Sequence, residues 1–138
     1  MPLEIDRSIL GREFDRTAYT TVTADEVYAY AASTGEPIRR DALGEIAPPT
    51  FVLRMHGRKF MPNELVEGLG RAGFDAGKDV EFGVPVRAGD TLTSSSAVHD
   101  IYEKTGRSGT MVFVVLRTVI SNQRGEQVAA VDQKMMFR

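Results

Sequence analysis

The chain contains no cysteine, which removes disulfides, thiolate nucleophiles and cysteine-based zinc sites from consideration. Histidine is almost as scarce. His56 and His99 stand far apart with no ligand pattern around them, so no metal site is expected. An excess of one charge is missing too: 17 Lys and Arg against 19 Asp and Glu leave a net charge of −2. That balance supplies no broad cationic field for phosphates and argues against nucleic acid as the partner. No stretch approaches the ~18 apolar residues of a membrane-spanning helix. Glu4, Asp6 and Arg7 occupy the region where a secretory signal needs an apolar run. No internal repeat, low-complexity tract or linker interrupts the chain. What is present is an ordinary globular composition, 42% hydrophobic and 26% charged, and at this length folding buries roughly two-thirds of the unfolded surface. One cytoplasmic domain, residues 1–138, is expected, with no membrane association.

Residues 1–20 read as a short leader that enters the fold, with Tyr19 to Val22 extended because aromatic and β-branched residues favour strands. A helix follows. Thr23-Ala24-Asp25-Glu26 is a capping box, Val27, Tyr30 and Ala31 form one apolar stripe, and Gly35 suits the helix end. Residues 36–49, polar and punctuated by proline, read as a loop. Pro48-Pro49 is a rigid entry to a second helix, about Thr50 to Phe60, which buries Phe51, Val52, Met55 and Phe60 and ends before Pro62. Gly68-Leu69-Gly70 is the nearest approach to a nucleotide loop, and no strand precedes it.

The last 60 or so residues are β-rich. Val80, Phe82 and Val84 alternate up to Pro85, Leu92 to Tyr102 forms a longer strand, and Asn122-Gln123-Arg124-Gly125 is a hairpin turn leading into a returning strand from Val128 to Phe137. Met111 to Ile120 is almost continuously apolar, which predicts a central strand covered on both faces. The summed reading is an α+β arrangement in which a long antiparallel sheet and an apolar helix bury each other.

Four segments, in order along nearly the whole chain, carry a family resemblance. Residues 28–37, Tyr-Ala-Tyr-Ala-Ala-Ser-Thr-Gly-Glu-Pro, resemble the start of the MaoC-like hydratase signature. Ala47-Pro48-Pro49-Thr50-Phe51 resembles the opening of the central helix in the N-terminal MaoC dehydratase subfamily. Residues 84–92, from Val84-Pro85 to Gly89-Asp90-Thr91-Leu92, resemble a turn common in hot-dog proteins. Residues 119–128, with Asn122-Gln123 and Gly125-Glu126, resemble the last hairpin. The resemblance implies a hot-dog fold, an antiparallel sheet wrapped around one long helix starting at Thr50. It also implies paired domains with acyl-thioester tunnels between them. The implied reaction is reversible hydration of a trans-2-enoyl thioester, or dehydration of the (R)-3-hydroxyacyl form. Such chemistry needs a base for water at C3, a proton for C2 and a donor for the thioester oxygen. The substrate would be carried as a coenzyme A or phosphopantetheine thioester, with no other cofactor.

Catalytic members of the family carry G-D-x-N-P-[LIV]-H, with the Asp and His as the acid–base pair. In Gly35-Glu36-Pro37-Ile38-Arg39 the Pro-Ile pair matches, but Arg39 stands in the histidine position and Glu36 is the nearest counterpart of the aspartate. The stretch before Pro37 is two residues shorter than the pattern. A guanidinium is effectively never deprotonated at neutral pH and cannot be a general base. Within the family such degenerate domains commonly pair with a separate catalytic chain, as in the heteromeric dehydratases of mycolic-acid synthesis and steroid side-chain hydratases. There the partner supplies the acid–base pair and the degenerate half shapes the acyl pocket.

The candidate catalytic carboxylates are Glu36 and Asp41. Arg39 is a candidate for a coenzyme A or carrier phosphate, or for pairing with Asp41 or Glu45. Pro49, Thr50 and Phe51 stand where helix amides can polarise a thioester carbonyl, and His56 is a candidate pocket residue on the same helix. Arg54, Arg58, Lys59 and Arg71 form the one local basic cluster, either a phosphate attractor or a solvated face, and Met55, Met61, Met111, Met135 and Met136 either line an acyl tunnel or fill the core. Three functions stay open: a hydratase or dehydratase subunit in a homodimer or with a catalytic MaoC-like partner chain; a self-sufficient hot-dog hydratase or acyl-CoA thioesterase using Glu36 or Asp41; and a non-catalytic module that binds acyl-CoA or a carrier.

Overall fold

A computed structural model describes residues 5–69 and 73–138. Five antiparallel strands form the main sheet: β1 (Glu13–Ala18), β4 (Gly73–Phe82), β5 (Thr93–Gly106), β6 (Gly109–Ser121) and β7 (Gln127–Phe137), in the spatial order β1-β5-β6-β7-β4. A small hairpin, β2 (Arg39–Asp41) with β3 (Gly44–Ile46), stands apart from it. The helices are α1 (Ala24–Thr34), α2 (Asn63–Leu69) and two 3-10 segments, Arg7–Ile9 and Pro49–Arg54. The α+β class and the hot-dog fold, a sheet packed on a helical filling, hold as expected.

Helix α1 forms where its signals place it. The Thr23 side chain accepts from the Glu26 amide at 3.1 Å, Val27 and Ala31 are buried, and Gly35 closes the helix with φ 72°. The central helix does not match. In place of one helix from Thr50 to Phe60 there is a six-residue 3-10 segment, an irregular stretch, and then α2. The reason is local competition for the backbone. The Tyr19 hydroxyl accepts the Gly57 amide at 2.7 Å, and the Asp15 carboxylate accepts the amides of Arg58 and Lys59 at 3.3 and 3.2 Å. Those amides are thereby withdrawn from any helical ladder. Gly57 adopts φ 82°, and a Cβ there would lie 2.5 Å from an Asp15 oxygen, so only glycine passes. Pro62, fully buried, then delays the next helix to Asn63.

The two helical pieces seed two halves of the core. Phe51, Val52 and Met55 pack with Val27, Leu92, Ile120 and Ala129, while Leu65 and Leu69 pack with Ile9, Val98, Val112, Val114 and Phe137. Strand β6 is central, and its Val112, Val114, Leu116 and Ile120 face this filling. Its other face covers itself in part, through a Tyr102–Phe113 stack at 5.0 Å and an Arg117–Asp132 pair at 2.7 Å. The apolar run predicts cover on both faces. Phe113, Arg117 and Val119 are instead only half-buried, because no second layer lies over them among the described residues.

Three further boundaries move. The first strand is Glu13–Ala18 rather than Tyr19 to Val22: the Tyr19 amide donates to the Leu92 carbonyl, and Val22 donates to the Asp90 carbonyl and accepts from the Gly89 amide, isolated bonds that do not extend into a ladder. The 36–49 loop contains the β2–β3 hairpin, turned by the Asp41 carboxylate accepting the Leu43 amide at 2.9 Å. The Gly68-Leu69-Gly70 run coincides with the end of α2 at Leu69, and β4 begins at Gly73, with residues 70–72 outside the described residues. The hairpin at Asn122–Gly125 stands as read, its Asn122 side-chain oxygen accepting from the amides of Arg124 and Glu126.

Asp15→Ala removes the acceptor for two loop amides and for the buried Thr17 hydroxyl at 2.8 Å. A loss of about 2 kcal/mol or more is expected in chemical denaturation, with faster proteolysis within residues 55–60. Unchanged stability would show that the carboxylate does not hold the break in the central helix.

Candidate functional site

A cleft of about 160 Å³ opens where three chain segments meet: the run from α1 into β2 (Glu36, Pro37, Arg39), the entry to the 3-10 helix (Ile46 to Pro49, Val52), and the run from Phe82 to Val86 beside Val128. Backbone bonds fasten these walls. The Ala47 amide donates to the Val86 carbonyl at 2.8 Å and the Ala88 amide to the Glu45 carbonyl at 3.1 Å, which clamps the hairpin onto the 86–88 segment. On the opposite wall, the Gly83 amide donates to the Val128 carbonyl at 2.9 Å. Gly83 lies so close to β7 that a Cβ would sit 2.1 Å from the Gln127 carbonyl oxygen.

The charged groups lining the cleft are Glu36 and Arg39, both exposed. Neither side chain has an ion-pair partner among the described residues, and the pairings considered for Arg39 go elsewhere: Arg40 takes Glu45 at 3.7 Å, and Arg87 takes Asp41. The Arg87 pair is bidentate, with the guanidinium Nε donating to both Asp41 oxygens at 3.1 Å. It holds the Asp41 carboxyl below its ordinary value, helped by the Leu43 amide, and raises Arg87 in return. A carboxylate so engaged is a weak base. Asp41 also stands outside the cleft lining, at the turn end of the hairpin. Behind Arg87, the buried Asp90 accepts the Arg87 amide and the Gln123 side chain, each at 2.9 Å, which braces the turn.

Of the residues expected at the start of the central helix, Pro49 lines the cleft, while Thr50 and Phe51 do not. Thr50 bonds the Tyr30 hydroxyl at 2.7 Å. Phe51 is fully buried, edge-on to Tyr30 at 5.4 Å and capped by the Arg54 guanidinium at 4.8 Å. Its amide donates to the Pro48 carbonyl at 2.9 Å, and Pro49 has no amide hydrogen, so two of the donors expected there are not free.

A second cavity of about 320 Å³ lies between the 52–60 segment and the inner face of the sheet, with exposed His56, Phe60 and Lys78 in its lining and Val52 shared with the cleft. His56 lines this cavity and not the cleft. It is exposed, its Nδ1 3.1 Å from the Gly57 carbonyl. Of the methionines, Met55 lines the cavity, Met61 and Met135 pack against the second core cluster, and Met111 and Met136 lie elsewhere. Arg54, at the end of the 3-10 segment, and Arg58 and Lys59, on the irregular stretch, are exposed, and Arg71 lies outside the described residues. Sequence reasoning missed the wall from Phe82 to Val86. Its one signal was a glycine between an alternating strand and a proline.

The family described as FAS1-like, dehydratase domain region, matches residues 8–131. The chain belongs to this dehydratase family. A UPF0336 protein from Saccharopolyspora erythraea is 30% identical over 152 aligned residues, covering 100% of this chain and 93% of the relative. Two solved structures share the fold. One is a C-terminally truncated HadBC (3R-hydroxyacyl-ACP dehydratase) complex from Mycobacterium tuberculosis, with a TM-score of 0.67, 21% identity, and coverage of 93% of this chain and 96% of that one. The other is a MaoC-like dehydratase from Rhodospirillum rubrum, with a TM-score of 0.62, 24% identity, and coverage of 93% and 91%. At such identities the likeness is one of fold. In this FAS1-like dehydratase chain the expected MaoC-like hot dog is present, and the residues of its cleft differ from the catalytic pattern as described.

Two outcomes follow for the cleft. Gly83→Ala forces the wall away from β7 and is expected to cost about 1–3 kcal/mol, measured by denaturation; an unchanged midpoint would mean the wall moves freely. Asp41, its pKa lowered by Arg87, contributes stability that is present above its ordinary 3.8 and lost as pH falls through the folded value. Wild type and Asp41→Asn are therefore expected to differ in melting temperature at neutral pH and to converge in acid. A gap independent of pH would contradict the pairing.

Proposed function

We propose that this chain is a subunit of an (R)-specific enoyl-thioester hydratase or 3-hydroxyacyl-thioester dehydratase, contributing the acyl pocket while a catalytic MaoC-like partner supplies the Asp and His acid–base pair. One observation carries the reading. The cleft is walled by prolines and apolar residues and holds one free carboxylate, Glu36, and one guanidinium, Arg39, with no imidazole. Hydration needs a group that takes a proton from water and returns one to C2, and a guanidinium does neither. Arg39, unpaired at the mouth, suits a phosphate of a coenzyme A or phosphopantetheine carrier better than proton transfer.

The edge of the sheet supports a paired assembly. Strand β4 is ten residues long and almost wholly exposed, pairing on one side with β7 and on its other side with no strand among the described residues. Phe74 and Phe82 stand about half exposed on it. A long edge of this kind is a template for another strand. Because Phe82 also lines the cleft, a chain added along β4 would bring its own residues to the cleft mouth. The HadBC relative in fold is itself a complex.

The test is hydration of crotonyl-CoA, followed by loss of enoyl absorbance with free thiol assayed in parallel. The purified chain alone is expected to be inactive. Co-expression with a partner carrying G-D-x-N-P-x-H is expected to give activity that the partner's Asp→Asn change abolishes and Glu36→Gln in this chain leaves intact. Hydration or thiol release by this chain alone, lost on Glu36→Gln, would replace the proposal with a self-sufficient enzyme.

A further inference from the structure

The inner cavity has a polar floor that the proposed acyl pocket does not by itself require. From Leu92, just before β5, the buried, inward-facing positions continue along the strand as Ser94, Ser96 and Val98. Ser94 has a structural task, since its hydroxyl bonds the Tyr19 hydroxyl that holds Gly57. Ser96 has none of that kind. It is 2% exposed, lines the cavity, and bonds Thr118 at 2.7 Å, directly across the β5–β6 ladder. That is the one hydrogen bond either side chain makes among the described residues.

Two hydroxyls hold two donors and four acceptor sites between them, and their mutual bond uses one of each. One O–H therefore remains, fixed by the sheet at the base of a cavity whose other walls include Leu53, Met55, Leu116, Ile120 and Val131. A plain hydrocarbon filling that cavity strands the remaining donor away from water, whereas an oxygen atom on the occupant accepts it. The Gln133 amide, also in the lining, already donates to the Asp75 carboxylate and the Gly77 carbonyl. Lys78 and His56 are exposed, so the polar group set into the cavity wall is the buried Ser96 with the half-buried Thr118, and the matching group is neutral.

We propose that Ser96 and Thr118 make the inner cavity a specificity subsite for an acyl chain bearing a neutral oxygen function, a keto or hydroxyl group, in its distal part. The inference rests on the acyl-pocket reading above and names the substrate class that pocket prefers. It is tested by calorimetric titration of the full chain with octanoyl-CoA and with octanoyl-CoA bearing a keto oxygen at successive carbons of the distal half. At least one keto isomer is expected to bind about tenfold tighter than octanoyl-CoA, ~1.4 kcal/mol. The double change Ser96→Ala with Thr118→Val removes both hydroxyls at nearly constant volume and leaves neither orphaned. It is expected to abolish the preference while retaining octanoyl-CoA binding. Equal binding of all the thioesters to the wild type, or a preference that survives the double change, overturns the inference and leaves the acyl pocket standing. Binding of none of them overturns both. The wild-type series is decisive even if the double variant fails to fold.

Discussion

The interior of this protein depends on where three backbone amides send their hydrogens. Gly57, Arg58 and Lys59 donate to the Tyr19 hydroxyl and the Asp15 carboxylate, side chains at the start of the fold and more than 35 positions away in sequence. Because those bonds replace helical ones, the filling of the sheet is two short helical pieces joined by an irregular stretch. The stretch stands off the sheet at Met55 to Phe60, and the inner cavity lies under it. A continuous helix would present regular ridges to the strands and close that space. The side chains that break the helix thus also shape the apolar cavity that shares Val52 with the cleft.

Charge placement at the cleft follows a similar logic of prior engagement. Asp41 and Arg87 satisfy each other, Arg40 leans on Glu45, and Asp90 is buried in the turn it braces. What these pairings leave over in the cleft lining is Glu36 and Arg39, set among prolines. Stability and chemistry are therefore separated in this region. The paired charges hold the hairpin to the 86–88 segment, and the unpaired ones face whatever enters. The same separation appears at the sheet edge, where β4 carries one wall residue, Phe82, and on its outer side pairs with no strand among the described residues.

Local signals were legible wherever a few adjacent residues decide the outcome. Thr23 and Gly35 bound α1, Asn122 to Gly125 turn the last hairpin, and the apolar run of β6 places it at the sheet's centre. The ordered motifs were enough for the fold and the family. The central helix was misread because its apolar spacing and proline entry are those of a helix, and nothing near residue 57 reveals that Tyr19 and Asp15 will compete for its amides. Phe51 was read as a pocket residue from its place in a motif, yet packing against Tyr30 and Arg54 turns it into the core.

By itself, then, the sequence determined the absence of cysteine chemistry, the α+β class, the ordered hot-dog motifs, and the arginine where a catalytic imidazole belongs. Each is a matter of residue identity or of neighbours a few positions apart. Only the tertiary structure decided which charges are spent and which are free, where the filling helix breaks, and that Ser96 meets Thr118 across the ladder at the base of a cavity. Those outcomes depend on partners tens of residues apart, whose meeting is set by strand order and register.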